Sequence, residues 1–100
     1  MYINKNSSFE WDERKNIINE KKHSISFFEA MTVFDDDNAL FEYDSEGSQD
    51  EDRFINIGMS ANTQLLVVCH CYRESDYIIR IISARTANSL EREKYGGQFQ

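Results

Sequence analysis

The sequence predicts an α+β domain in which helices pack on one face of a mainly antiparallel sheet, and three observations predict it. Three apolar, β-branched and aromatic runs, Phe54–Ser60, Gln64–Tyr72 and Tyr77–Ala84, follow one another closely. Their connections, Ala61-Asn62 and Glu74-Ser75, are short enough to force antiparallel neighbours. Helix-start signals stand before and after this meander. The element order is then β-α-α-β-β-β-β-α.

The elements follow in chain order. Phe9-Glu10-Trp11 is a short apolar strand, and Asp12 after it is an N-cap for a helix over about 13–23. Ile17, Ile18 and Lys21 fall on one face of that helix, which predicts the buried side. Ser26-Phe27-Phe28-Glu29 has the spacing of a capping box, with Ile25 and Ala30 placed as a hydrophobic staple. This second helix runs to about Phe34 and buries Phe27, Ala30, Met31 and Phe34. Asp35-Asp36-Asp37 ends it, because negative charge at a helix C-terminus opposes the macrodipole. Ala39–Tyr43 is a short strand, and Asp44–Asp52 is a polar loop. After the meander a last helix spans about Ala87–Tyr95 with Thr86 as its N-cap. Residues 1–95 form one domain, and 96–100 are expected as a flexible tail.

One hundred residues allow one modest core. With 40 % apolar residues and 13 aromatics that core can form, so wholesale disorder is excluded. No apolar run approaches the roughly 18–20 residues that span a bilayer, and Met1–Asn6 lack the apolar core of a secretory signal. The expectation is a cytoplasmic protein without membrane contact. Cys69 and Cys71 share a strand face roughly 6.5–7 Å apart, at or beyond the reach of an unstrained disulfide, while His70 points the other way. Reduced thiols and no metal site are expected there.

The net charge of −7 argues against a nucleic-acid partner until its distribution is seen. Residues 35–52 hold nine acids and no base, more than the whole net charge. Residues 53–95 carry six bases against four acids. Such segregation permits a weakly basic site in the C-terminal half. The acidic run lacks the ligand spacing of a calcium loop, so a solvated loop or a docking surface for a basic partner is the expectation. No phosphate-binding glycine loop, Ser-His-Asp set or cysteine-nucleophile pattern is present.

Register decides which groups can share a site. A two-residue Ala61-Asn62 turn pairs Ile57 with Leu66, Ile55 with Val68 and Arg53 with His70. A Glu74-Ser75 turn pairs Arg80 with Cys69, on the face away from His70; one more loop residue sets Arg80 opposite His70. A histidine in an apolar strand is a hydrogen-bonded, half-buried residue or a catalyst. Arg80, between Ile79 and Ile81, needs water, a phosphate or a carboxylate such as Glu10 or Glu29, since an unpaired buried charge costs several kcal/mol, about 3–5. Arg85 precedes a predicted helix N-terminus, where backbone amides attract anions, or is an exposed loop charge. His23, beside Lys21 and Lys22, either complements the dipole of the first helix or supplies an acid–base group, with Lys22 reaching a phosphate backbone. Tyr72, Tyr77 and Tyr95 can stack on a base or pack.

The series Phe9-Glu10-Trp11-Asp12, Lys22-His23, Val33-Phe34-Asp35-Asp36, Arg53-Phe54-Ile55-Asn56-Ile57-Gly58 and Arg80-Ile81-Ile82-Ser83-Ala84-Arg85, in this order and spacing, resembles the BrnT family of bacterial toxins. The likeness runs from Phe9 to about Tyr95. Where that family has Gly after Lys-His, this chain has Ser24. The resemblance implies a RelE-like ribonuclease of a type II toxin–antitoxin pair, blocking translation by RNA cleavage without metal or cofactor. It implies neutralisation by a BrnA-type ribbon-helix-helix antitoxin, with operator DNA bound only through that antitoxin. The alternative is a degenerate toxin acting as a non-enzymatic co-repressor. From residue chemistry, Arg80 and Arg85 are assigned to the phosphate, His70 or His23 to acid–base work, and Arg53, Lys22 and Tyr72 to RNA contacts.

Overall fold

A computed structural model describes residues 2–4 (by backbone alone), 8–74 and 77–100. Strands β1 (Tyr2–Asn4) and β2 (Phe9–Trp11) precede helices α1 (Glu13–His23) and α2 (Phe27–Thr32), and a 3₁₀ turn, Val33–Asp35, extends α2. Strands β3 (Leu40–Tyr43), β4 (Phe54–Met59), β5 (Leu65–Arg73) and β6 (Ile78–Thr86) follow, then helix α3 (Ser89–Gly97). They form one six-stranded sheet in the order β1-β2-β6-β5-β4-β3. Among the described strands only β2 and β6 run parallel. The α+β class and the mainly antiparallel sheet agree with the sequence reading, with β1 as an added edge strand.

Alternation along β5 divides the interior into two cores. Leu66 and Val68 face α2 together with Trp11, Phe27, Ala30, Val33, Ile81 and Ala84. Leu65 and Val67 face the other way and pack with Ile57, Ala87 and Tyr95. Helix α3 therefore caps the second face, not the face that carries α2. Its cap also differs from expectation. Asn88, not Thr86, closes a full capping box with Glu91, and the helix continues to Gly97. Thr86 stays in β6 because Ala87 N–H donates to the Leu65 carbonyl and prolongs the ladder. Beyond the helix the Gln98 amide donates to the Asn38 carbonyl, and Phe99 packs edge-on against Tyr95.

Helix α1 has the expected bounds and cap, with Asp12 Oδ1 accepting from Arg14 N–H at 2.9 Å. Its buried face is not the expected one. Ile18 is 63 % exposed and Ile17 is exposed as well, whereas Asn16 and Asn19 are buried. Asn16 Oδ1 accepts from Phe27 N–H at 2.8 Å, a first-turn amide of α2. The Asn19 amide donates to the carbonyls of Ile25 and Ala84 and accepts from Ala84 N–H. One side chain thus acts as a strand partner for β6 beyond the end of β2. In α2, Ser26 Oγ accepts from Glu29 N–H as the cap motif requires, but the Glu29 carboxylate accepts from Ser60 Oγ and Gln64 Nε2 instead of closing the box.

Both hairpin registers differ from those the sequence suggested. The β4–β5 loop has three residues, with Thr63 left-handed at φ 59° and Thr63 N–H donating to the Ser60 carbonyl. That added residue pairs Phe54, not Arg53, with His70, and Ile57 with Val67. In the β5–β6 hairpin Arg80 pairs with Cys71. Ser75, in the expected Glu74-Ser75 turn, lies outside the described residues. Gly58 permits close packing on β4: a Cβ there would come within 2.8 Å of Val33 and 2.9 Å of Ala39.

Candidate active site

A bulge in β6 determines where the arginines point. His70 pairs with Ile81 and Cys69 with Ser83, which leaves Ile82 without a ladder partner. In a regular strand, residues five apart face opposite sides of the sheet. Because of the extra residue, Arg80 opposite Cys71 and Arg85 opposite Val67 share one face. Arg53, next to Phe54 on β4, points to that face as well, as do Ile55 and Cys69. Arg53, Arg85, Asp44, Cys69, Ile82 and Ser83 border a hollow of about 330 Å³. A neighbouring hollow of about 190 Å³ shares Ile82 and Ser83 and is lined also by Lys22 and His23 from the end of α1.

The cations are paired. Arg85 donates through Nη1 and Nη2 to both carboxylate oxygens of Glu91, each at 2.8 Å. This fork raises the arginine pKa further and holds the Glu91 carboxyl below its usual range. Glu91 Oε1 also accepts from Asn88 N–H, so the α3 cap and the arginine clamp share one carboxylate. Arg80 Nε donates to Glu10 Oε2 at 2.7 Å, with Glu10 itself buried. That contact is the carboxylate pairing foreseen as one alternative for Arg80. Arg53 stands 3.8 Å from Glu51, too far for a hydrogen bond, and its buried Nε has no hydrogen-bond partner among the described residues. Arg53 and Arg85 give the hollow two guanidinium groups, a pairing that suits an anionic oxygen.

His70 lies elsewhere. It is fully buried on the face that carries α2, ringed by Phe34, Phe41, Phe54 and Tyr72. Its Nδ1 lies 3.2 Å from the Val68 carbonyl, which can only accept, so the proton sits on Nδ1 and Nε2 faces the Tyr72 hydroxyl at 3.4 Å. Burial pushes its pKa down, which keeps it neutral. The sheet separates His70 and Tyr72 from the arginine hollow. Of the groups singled out from sequence, the structure brings together Arg53 and Arg85, sets Arg80 on the same face, and places Lys22 and His23 in the adjoining hollow.

Three lining residues carried no sequence-level role. Asp44 stood within an acidic run, and Ser83 within an apolar strand. Cys69 Sγ donates to Asp44 Oδ2 at 3.8 Å, and burial, reinforced by that carboxylate, pushes its thiol up to about 11. Cys69 is therefore a neutral wall of the hollow and not a nucleophile. No helix among the described residues is long and apolar enough to cross a membrane.

The sequence model of a family described as "Ribonuclease toxin, BrnT, of type II toxin-antitoxin system" matches residues 11–91. The crystal structure of the Brucella abortus ribonuclease toxin BrnT is similar to this chain with a TM-score of 0.59, at 22 % identity, covering 79 % of this chain and 94 % of that one. At that identity the likeness shows a shared fold. Among curated proteins no sequence match is found.

Proposed function

The chain belongs to the BrnT family of ribonuclease toxins of type II toxin–antitoxin systems, and on that premise we propose that it cleaves RNA without a metal ion at the hollow between Arg53 and Arg85. In this reading the substrate's 2′-hydroxyl attacks the adjacent phosphorus and the bond to the 5′-oxygen breaks, leaving a 2′,3′-cyclic phosphate and a 5′-hydroxyl. The reaction needs a base for the 2′-hydroxyl proton, cations for the charged pentacoordinate phosphorus and an acid for the leaving oxygen. Arg85 and Arg53 stabilise the phosphorane oxygens, with Arg80 on the same face holding the backbone. His23, in the adjoining hollow that shares Ile82 and Ser83, takes the 2′-hydroxyl proton while solvent protonates the leaving 5′-oxygen, and Lys22 binds a flanking phosphate. His70 orders the aromatic core behind the sheet. The observation that carries this reading is the β6 bulge, which turns Arg80 and Arg85 to one side.

The protein acts in the cytoplasm, where a BrnA-type ribbon-helix-helix antitoxin silences it in a hetero-oligomer. Operator DNA is contacted only through that antitoxin.

Expression of the chain alone should arrest growth, and purified protein should leave cyclic-phosphate ends on RNA in excess chelator. Arg85→Ala and Arg53→Ala should each slow cleavage by about 10²–10³, the loss that follows removal of one aligned donor. Full toxicity of both Arg80→Ala and Arg85→Ala in cells without antitoxin would overturn the assignment. The second reading, a non-enzymatic co-repressor, is favoured by one observation: in the resting state both Arg80 and Arg85 are held by carboxylates. It predicts operator binding with the antitoxin but no cleavage by the chain alone.

A further inference from the structure

Strand β3 ends the sheet, with β4 on one side and no strand on the other among the described residues. Its side chains Phe41 and Tyr43 are 56 % and 54 % exposed. Phe41 stacks on Phe54 at 5.1 Å between centroids, and Tyr43 and Tyr72 meet the same ring edge-on. These rings border a cleft of about 710 Å³, which Glu51, Asp52 and Arg73 complete. The Arg73 charge is already met by Glu51 at 2.6 Å. The loop that leaves β3, residues 44–52, adds five acids and no base. An edge strand with large apolar side chains is a template for strand addition. Acidic flanks select what can be added.

We propose that the outer edge of β3 and the aromatic cleft beside it form a docking site for a basic, strand-forming segment of a protein partner. The segment extends the sheet through the open side of β3. Alternate apolar side chains lie against Phe41 and Tyr43, and its lysines or arginines face Asp52 and the other acids of the loop. RNA would find rings to stack on, but its phosphates would meet this acidic rim, where the one lining arginine, Arg73, is already paired with Glu51, while Arg80 and Arg85 lie across the sheet. Under the toxin–antitoxin reading the antitoxin carries the segment. That identification rests on the reading above, whereas the chemistry of the surface does not.

The test uses the full-length ¹⁵N-labelled chain titrated with three probes: a short peptide alternating lysine with valine and phenylalanine, the same peptide with glutamate for lysine, and a short single-stranded RNA. The lysine peptide should shift the amides of Leu40–Tyr43, Phe54 and Tyr72, and the glutamate peptide should bind at least about tenfold more weakly. Phe41→Ser and Asp52→Lys should each weaken the lysine peptide by about tenfold while leaving the remaining amide spectrum in place. Absence of shifts at about 1 mM peptide, shifts on another surface, or RNA moving the same amides would overturn the proposal. Loss of nuclease activity in the Arg85→Ala assay tests the other face and is read separately.

Discussion

Ser24 is left-handed at φ 61°, and its N–H closes the last turn of α1 on the Glu20 carbonyl. Glycine adopts that backbone without a Cβ penalty, and an L side chain does not. Ser24→Gly should therefore stabilise the fold by up to about 1 kcal/mol, measured as a shift of the denaturation midpoint; a loss of stability would show that the serine is held by more than its backbone. The left-handed position was legible as a place where related sequences carry glycine, but not the fact that serine is accommodated there. His70 shows the opposite limit. Its position in an apolar strand was plain, yet its role turned on which residue of β4 faced it. The three-residue turn put Phe54 there instead of Arg53. One residue in a loop converted an expected basic pair into an aromatic cage around a neutral imidazole.

At the scale of elements, α1 is the clearest departure from pattern reasoning. Its bounds and cap were readable from Asp12 and the basic last turn, but its buried face is built of asparagines. Period alone favoured Ile17 and Ile18, because hydrophobic patterning has no means of expressing a side chain that completes a ladder. The consequence is an inverted mutational profile. Asn19→Ala leaves the buried N–H and C=O of Ala84 and the carbonyl of Ile25 short of partners and should cost about 3 kcal/mol. Ile18→Ala should change stability by no more than about 0.5 kcal/mol. Equilibrium urea unfolding of the two variants separates the cases, and equal losses would refute the packing described for this helix. The β6 bulge is the counterpart on the sheet, since it reverses the facing of Arg85 relative to Arg80. It leaves no sequence signature here, because Ile82 is an ordinary β-branched strand residue.

For the whole molecule, charge and burial set a stability that falls with acidity in two stages. His70 has a folded pKa below its ordinary 6.5, so the unfolded chain binds its proton more readily, and stability is lost as pH drops below about 6.5. Glu91 and Glu51 are held low chiefly by hydrogen bonds from Arg85 and Arg73. Burial works to raise Asp36, but the N–H groups of Met59 and Asn38 and the Tyr95 hydroxyl overcome it. These carboxylates contribute stability above their unfolded values of about 4–4.5, and it is lost as pH falls through their lower folded values. Denaturation midpoints measured across pH 3–8 should show both declines, and His70→Gln should flatten only the one that sets in below about pH 6.5. A His70→Gln curve that still declines there would remove the histidine from the account. Composition, the order of elements from β2 to α3, the caps of α1 and α2 and the segregation of acids from bases were determined by the sequence, because they depend on local propensity and period. Which arginines share a face, which helix face is buried and what surrounds His70 were decided by tertiary structure. The arginine face and the surroundings of His70 depend on register, since one inserted residue in a turn or a strand reverses every side chain beyond it, and the helix face depends on the β6 backbone groups that Asn19 completes.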